Sequence, residues 1–127
     1  MSYKEYKVRV FDNGAIHWYN QEGQYHREDG PAAEYADGTK HWFKNDKYHR
    51  EDGPAVEYAN GSKLWFKNGQ YHREDGPAVE YVNGSKLWYL KGVWLTEEAW
   101  KAKMNPVKEM TVQEISDMLG FEVKVVK

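Results

Sequence analysis

The chain has no cysteine, which excludes disulfide bonds, thiolate metal sites and cysteine nucleophiles. It also has no long hydrophobic run, because no apolar stretch approaches the ~20 residues that a membrane-spanning helix needs. The first five residues, MSYKE, lack the apolar centre of a signal peptide. We therefore expect a cytoplasmic protein that does not associate with membranes.

The chain also lacks an excess of one charge. Eighteen Lys and Arg residues stand against 20 Asp and Glu residues, for a net charge of −2. Basic and acidic residues alternate, whereas binding to a phosphate backbone requires a continuous basic surface. We therefore do not expect nucleic-acid binding, and a length of 127 residues suits one domain with a core of its own.

Aromatic residues are abundant, at 16% with six Trp and ten Tyr, and they follow a repeat. The octapeptide YHREDGPA occurs three times and opens copies of 23 residues, at 25–47, 48–70 and 71–93. The second and third copies agree at 18 of 23 positions. Residues 1–24 form a degenerate copy without the octapeptide, as is typical of a capping repeat. The chain is therefore expected to be an array of small structural units.

Within a copy the hydrophobic pattern has a period of two, which predicts strands. In the second copy we expect strands at 55–58 and 63–67, joined by a type I′ turn at Asn60-Gly61, the strongest short hairpin signal. Asn68-Gly69 should turn the chain again. The fold class predicted is mainly β, an antiparallel β-meander repeat sheet with about two strands per copy and a short extended connector.

The segment GPAVEYANGSKLWFKNG resembles a MORN-type β-hairpin repeat of the bacterial and viral subtype, and the resemblance covers residues 8–93. The inserted HREDGP departs from that pattern and is similar to small proteins of phages and large DNA viruses. The resemblance implies an elongated antiparallel sheet that serves binding and scaffolding. It implies no catalytic residue and no cofactor.

The histidines of the octapeptide, His26, His49 and His72, are candidates for a metal or catalytic site. Equivalent residues of neighbouring copies should lie roughly 10 Å apart, since two strands separate them. Ligands of one zinc ion lie at ~2.0–2.2 Å from the metal, so these histidines cannot share an ion. Three similar copies also provide three similar environments, whereas acid–base catalysis needs groups whose pKa values differ. We predict no metal site and no catalytic residue.

The arginines of the octapeptide, Arg27, Arg50 and Arg73, are expected to pair with Glu or Asp of the same or a neighbouring copy. Such pairs would form a ladder along one edge, each contributing ~0–1 kcal/mol where exposed. The functional alternative is that a binding partner recognises these charged side chains at the protein surface.

Aromatic side chains form two predicted columns, because neighbours such as Trp65 and Phe66 should face opposite sides of a strand. One column would be core and the other partly exposed, unless the sheet curls and covers both. An exposed column suits recognition of a protein or stacking of a planar ligand. The candidate binding residues are Tyr25, Arg27, Trp42, Tyr48, Arg50, Trp65, Tyr71, Arg73 and Trp88.

Residues 94–127 are predicted to form a helix–helix–strand cap that covers the last edge of the sheet. Thr96 should begin the first helix, and Thr111 with Glu114 should form a capping box for the second. Residues 121–127 alternate as a strand. The second helix resembles the first helix of helix-turn-helix DNA binders, but no recognition helix follows it.

Together these features predict a non-enzymatic protein-binding repeat module. The phage resemblance implies a more specific version, an inhibitor of a bacterial host or defence protein. The alternative is a sponge for a nucleotide or other small signal, held by aromatic stacking and arginine. Pairing of sheet edges into a homodimer is a further expectation.

Overall fold

The structure is a computed structural model that describes residues 4–106 and 109–126. It is mainly β, with one large antiparallel sheet and two short helices near the C-terminal end, so the predicted fold class is confirmed. The strands before the second copy are β1 (Lys7–Val10), β2 (Ile16–Tyr19), β3 (Ala33–Glu34), β4 (Lys40–His41), β5 (Phe43–Lys44) and β6 (Lys47–Tyr48). Those that follow are β7 (Val56–Glu57), β8 (Lys63–Leu64), β9 (Phe66–Lys67), β10 (Gln70–Tyr71), β11 (Val79–Glu80), β12 (Lys86–Leu90) and β13 (Val93–Leu95).

The large sheet has nine strands in the order β1-β2-β3-β4-β7-β8-β11-β12-β13. Its strands follow the chain as a meander, since only the small hairpins β5–β6 and β9–β10 are left out of it. The first two full copies therefore each contribute one hairpin to the large sheet and begin a second hairpin beside it, whereas in the third copy β11, β12 and β13 all belong to the large sheet.

The predicted strand at 63–67 is divided at Trp65, which is the main difference from the predicted two strands per copy. The Trp65 N–H donates to the Ala78 carbonyl at 2.7 Å, and the Trp65 carbonyl accepts from the His72 N–H at 3.1 Å. Because these bonds join Trp65 to the next octapeptide, β8 stays in the large sheet while β9 pairs with β10. Trp42 makes the equivalent two bonds with Ala55 and His49.

The two Asn-Gly turns of a copy differ in type. Asn68 and Gly69 have φ of 50° and 79°, so they form the type I′ turn that joins β9 to β10. At Asn60-Gly61 only the glycine has a positive φ, of 96°, and its N–H donates to the Tyr58 carbonyl at 3.0 Å. The predicted type I′ turn is therefore wrong at Asn60, because a type I turn followed by a left-handed glycine closes this hairpin.

The core consists mainly of aliphatic side chains from the repeats, together with one buried phenylalanine. Val56, Leu64, Phe66 and Val79 form its buried cluster together with Ala55. The alanine that ends each octapeptide is fully buried, since the backbone of the preceding tryptophan hydrogen-bonds to it. A larger side chain there would separate adjacent copies.

Helix α1 (Glu97–Met104) has Thr96 as its N-cap, as predicted, and it packs against β12 and β13 at the end of the sheet. Its Trp100 is buried, with the indole Nε1 donating to the Arg73 carbonyl at 3.0 Å. Neither helix in the described ranges is long and apolar enough to cross a membrane.

Helix α2 (Val112–Leu119) begins with the predicted capping box of Thr111 and Glu114 and ends at Gly120, which has φ 76°. The strand predicted at 121–127 is wrong for residues 121–126, which belong to no strand, and residue 127 lies outside the described residues. The Val123 N–H instead donates to the Ser116 hydroxyl at 2.9 Å. An alternating sequence forms a strand only where a neighbouring strand offers partners for its backbone.

Candidate functional site

Each octapeptide holds its arginine in a fixed position between an indole and a glycine. Arg50 Cζ lies 3.9 Å from the centre of the Trp42 ring, a distance typical of a cation–π contact. On the glycine side, a Cβ added to Gly53 would lie 2.9 Å from the same atom. Arg50 Nε donates to Asp52 at 3.0 Å and Nη1 donates to the Pro54 carbonyl at 3.0 Å. The guanidinium is therefore packed and hydrogen-bonded within the protein.

The same arrangement occurs three times and joins each copy to the one before it. Arg27 lies 3.9 Å from the Trp18 ring and Arg73 lies 3.8 Å from the Trp65 ring. The predicted pairing with acids is also present, always within one copy. The Arg–Asp distances are 3.0, 3.0 and 2.7 Å, and the Arg–Glu distances are 3.9, 3.3 and 3.0 Å.

Both ring nitrogens of each octapeptide histidine have structural partners. His49 Nδ1 accepts from the Asn68 N–H at 3.0 Å, and Nε2 lies 2.7 Å from the Glu51 carboxylate. His26 and His72 accept from the corresponding turns at 3.1 and 2.9 Å. These histidines therefore anchor the next turn through Nδ1, with Nε2 directed towards a carboxylate of the same octapeptide. Within residues 4–106 and 109–126, no group of three His, Asp or Glu side chains could hold a metal ion.

One column of aromatic rings runs the length of the array. Successive ring centres are 4.3–5.0 Å apart, within the range of stacked aromatic pairs. The column consists of Tyr19, Tyr25, Phe43, Tyr48, Phe66, Tyr71 and Tyr89. Each inner ring lies between two others, so a planar ligand could stack there only by separating them.

The structure thus places the predicted binding residues in two internal arrangements. All nine are half-buried. Tyr25, Tyr48 and Tyr71 lie in the aromatic column, while the three arginines cover the tryptophan of the preceding unit, which is Trp42 for Arg50 and Trp65 for Arg73. Trp88 lies in β12, against which α1 packs. The tyrosines and arginines are not brought together into one open pocket.

A second set of rings is exposed, and the nine predicted residues do not include it. Phe11, Tyr35, Tyr58 and Tyr81 are 40%, 38%, 42% and 46% exposed. Each occupies the first position of a type I turn, where its N–H and carbonyl bond to the residues that close the hairpin. We call these four side chains the exposed ring row. A sequence signal was available, because a ring stands two residues before each of the pairs Asn13-Gly14, Asp37-Gly38, Asn60-Gly61 and Asn83-Gly84.

The histidines His17 and His41 lie between the exposed ring row and the aromatic column. His41 is 5.4 Å from the Tyr35 ring and 5.6 Å from the Tyr48 ring, and its Nδ1 is hydrogen-bonded to the Tyr48 hydroxyl at 3.2 Å. Burial lowers the pKa of His41, and burial with the nearby Arg9 lowers that of His17. Both are therefore favoured as neutral rings, which suits an aromatic surface.

The octapeptide corners present carboxylates to solvent. In each corner the aspartate is the more exposed acid, and Asp29, Asp52 and Asp75 are exposed at 67%, 86% and 83% of the side chain. A hydrogen bond from Arg73 lowers the pKa of Asp75, and one from His49 lowers the pKa of Glu51. Between successive corners lies an open groove, about 700 Å³ for the first pair, whose walls carry both charges. In this groove, Arg27 is paired with Asp29, Arg50 with Asp52, and His49 with Glu51.

Comparison of the chain with models of protein families, with curated proteins and with solved structures finds no match.

Proposed function

We propose that this protein is a non-enzymatic protein-binding repeat module and that the exposed ring row is its recognition surface. The observation that carries the proposal is that four rings in equivalent positions are 38–46% exposed, whereas the other aromatic column is stacked internally. A sequence that keeps one ring of every unit outside its core provides a regular apolar surface.

Tyrosine suits such a surface for physical reasons. It offers a large, rigid contact area with few rotatable bonds and a hydroxyl that can hydrogen-bond at the rim, and it is enriched among binding hot spots. Neighbouring rings of the row are separated by two strands, or roughly 10 Å. The hairpins fix the backbone of each ring residue at the start of a turn, so little backbone entropy is lost when a partner binds.

The internal contacts of the predicted residues give less support to the nucleotide-sponge alternative. A base would have to separate stacked rings, and a phosphate would have to compete with Asp52 and the Pro54 carbonyl for Arg50. The engaged ring nitrogens of the histidines likewise favour a role without catalysis. The resemblance of the octapeptide to phage proteins supports an inhibitor of a bacterial host or defence protein as the specific form of the proposal.

The proposal can be tested by affinity purification from bacterial lysate with three forms of the protein. The first is the wild type, and the second is the triple variant Tyr35→Ala, Tyr58→Ala and Tyr81→Ala. The matched control is Lys40→Ala, Lys63→Ala and Lys86→Ala, which changes one exposed residue per copy at neighbouring positions of the same hairpins. We expect the wild type and the lysine control to retain one stoichiometric partner that the tyrosine variant loses.

With the purified partner, each single Tyr→Ala change should weaken binding by about tenfold. The proposed surface would be refuted if the tyrosine variant kept the partner or if the lysine control lost it equally. A titration of tryptophan fluorescence with cyclic and linear nucleotides tests the alternative. Saturable quenching by one of them would favour the sponge.

A further inference from the structure

The first strand, β1, is an unpaired edge of the large sheet. Within the described residues its one neighbour is β2, and all four of its residues are exposed. Val8 is 46% exposed and Val10 is 73% exposed. An exposed edge offers backbone donors and acceptors to a further strand.

The pairing with β2 identifies which backbone groups of β1 are free. The Phe11 N–H donates to the Ala15 carbonyl at 2.8 Å, and hydrogen-bonded pairs alternate along an antiparallel ladder. Arg9 and Lys7 therefore bond to β2, whereas the N–H and C=O groups of Val8 and Val10 point away from the sheet. The Trp18 N–H, opposite Val8, accordingly donates to the Ala32 carbonyl at 2.7 Å on the other side.

Symmetric pairing of two β1 strands is opposed by charge. The register that uses all the free groups pairs Val8 of each copy with Val10 of the other. That register places Arg9 directly across from Arg9 of the second copy, and like charges in this position are destabilising. A suitable strand for this edge should instead present apolar residues to Val8 and Val10 and an acid to Arg9.

The segment 121–126 of this chain has that pattern. Its sequence, FEVKVV, alternates as a strand and carries an acid at Glu122. Phe121, Val125 and Val126 are 63%, 68% and 92% exposed, and residues 121–126 belong to no strand. Among the described residues, the chain therefore contains both an unpaired edge strand, β1, and an alternating apolar segment, 121–126, that belongs to no strand.

We propose that the segment 121–126 of one copy pairs with β1 of a second copy and extends its large sheet. When the two strands run parallel with Glu122 beside Arg9, Val8 and Val10 lie beside Phe121 and Val123. The antiparallel direction is disfavoured, because it places Lys124 across from Lys7. The apolar side chains then share one face, and the acid meets the base on the other. The bond between Val123 and Ser116 is replaced by bonds to the edge.

This pairing joins two different surfaces, so it is heterologous. Such contacts produce a closed dimer or ring when the geometry closes, and an open chain when it does not. The proposed self-association goes beyond the recognition surface and does not involve the exposed ring row.

A pair of charge reversals tests the proposal. In Arg9→Glu the edge repels Glu122, and in Glu122→Arg the segment repels Arg9, so each single variant should associate about tenfold more weakly than the wild type. Sedimentation velocity over a concentration series measures this. A mixture of the two variants should regain association, because the acidic edge of the first variant can accept the basic segment of the second. Lys103→Glu, at an exposed position of α1, is the control for net charge.

A second variant removes a donor and leaves the charges unchanged. In Val8→Pro the lost N–H points away from β2, so the fold is kept, as the far-UV circular dichroism should show, while association is lost. The proposal is overturned by a wild type that stays monomeric throughout the series. It is equally overturned if the single reversals associate like the wild type or if their mixture does not recover.

Discussion

Arg50 and Trp42 belong to different copies of the repeat, and the guanidinium of one lies 3.9 Å above the ring of the other. Gly53 closes the opposite side, where a methyl group would approach Arg50 Cζ to 2.9 Å. The octapeptide therefore joins one copy to the next, and its charged residues are largely used for that purpose.

The first prediction concerns the glycine of the octapeptide. Gly53→Ala should destabilise the fold by about 1–3 kcal/mol, because the added methyl group displaces Arg50 from Trp42. Equilibrium denaturation in urea measures the change. In the background of Arg50→Ala the same substitution should cost much less, since the obstructed side chain is gone. Equal costs in both backgrounds would contradict the steric explanation.

The second prediction separates the two sets of tyrosines. Tyr48 lies between Phe43 and Phe66, with ring centres 4.4 and 5.0 Å away, so Tyr48→Ala should cost about 2–4 kcal/mol of unfolding free energy. Tyr58 belongs to the exposed ring row, so Tyr58→Ala should lower the unfolding free energy by only about 0.5 kcal/mol. Thermal unfolding followed by near-UV circular dichroism compares the two variants. Similar losses would mean that Tyr58 is a structural residue.

The third prediction is a pH dependence of stability that arises at His41. Burial lowers the pKa of His41 below its ordinary value of 6.5, so the unfolded chain takes up a proton before the folded chain does as the pH falls. The contribution of His41 to the free energy of unfolding should therefore be fully present above pH 6.5. It should decrease as the pH falls from there towards the folded-state pKa. His17 contributes in the same direction.

The repeat provides a control for this effect, because the positions equivalent to His41 are Leu64 and Leu87. His41→Leu should flatten the dependence between about pH 7 and pH 5, measured by urea denaturation at each pH. An unchanged slope in the variant would assign the dependence to other groups.

The fourth prediction uses a strained turn. Lys91 has a φ of 49°, a conformation that Asn and Gly tolerate better than Lys, and it stands where the second copy has Asn68. Lys91→Asn should raise the unfolding free energy by about 0.5–1 kcal/mol. The same change should leave the bond from the residue 91 N–H to His72 intact. A lower melting temperature for this variant would refute the explanation from backbone strain.

Much of the architecture could be predicted from the sequence, because the 23-residue period and its alternation are local and repeated signals. The turn at Asn60 could not be distinguished from that at Asn68, since both read Asn-Gly. The difference lies in the hydrogen bonds that each turn makes, including the one from the Asn68 N–H to His49. The break at Trp65 depends in the same way on backbone contacts with the next copy.

The candidate site shows the same limit. Arginine, acid and tryptophan were each identified, but the stacking of Arg50 on Trp42 joins residues of different copies and is invisible to a pattern within one copy. Residues 121–126 were predicted as a strand from alternation alone. Pairing in a sheet requires a neighbour, and no pattern within the segment shows whether it has one.

The contact between each arginine and the preceding tryptophan gives the array a direction. The series begins at Trp18, which precedes the first octapeptide, and ends where Trp100 of α1 meets the Arg73 carbonyl. Every intermediate junction is made from the same parts. A whole 23-residue unit could therefore be inserted or removed at a junction without redesigning either end, and each insertion would lengthen the protein by roughly 10 Å. The number of 23-residue copies in the sequence therefore determines the length of the array.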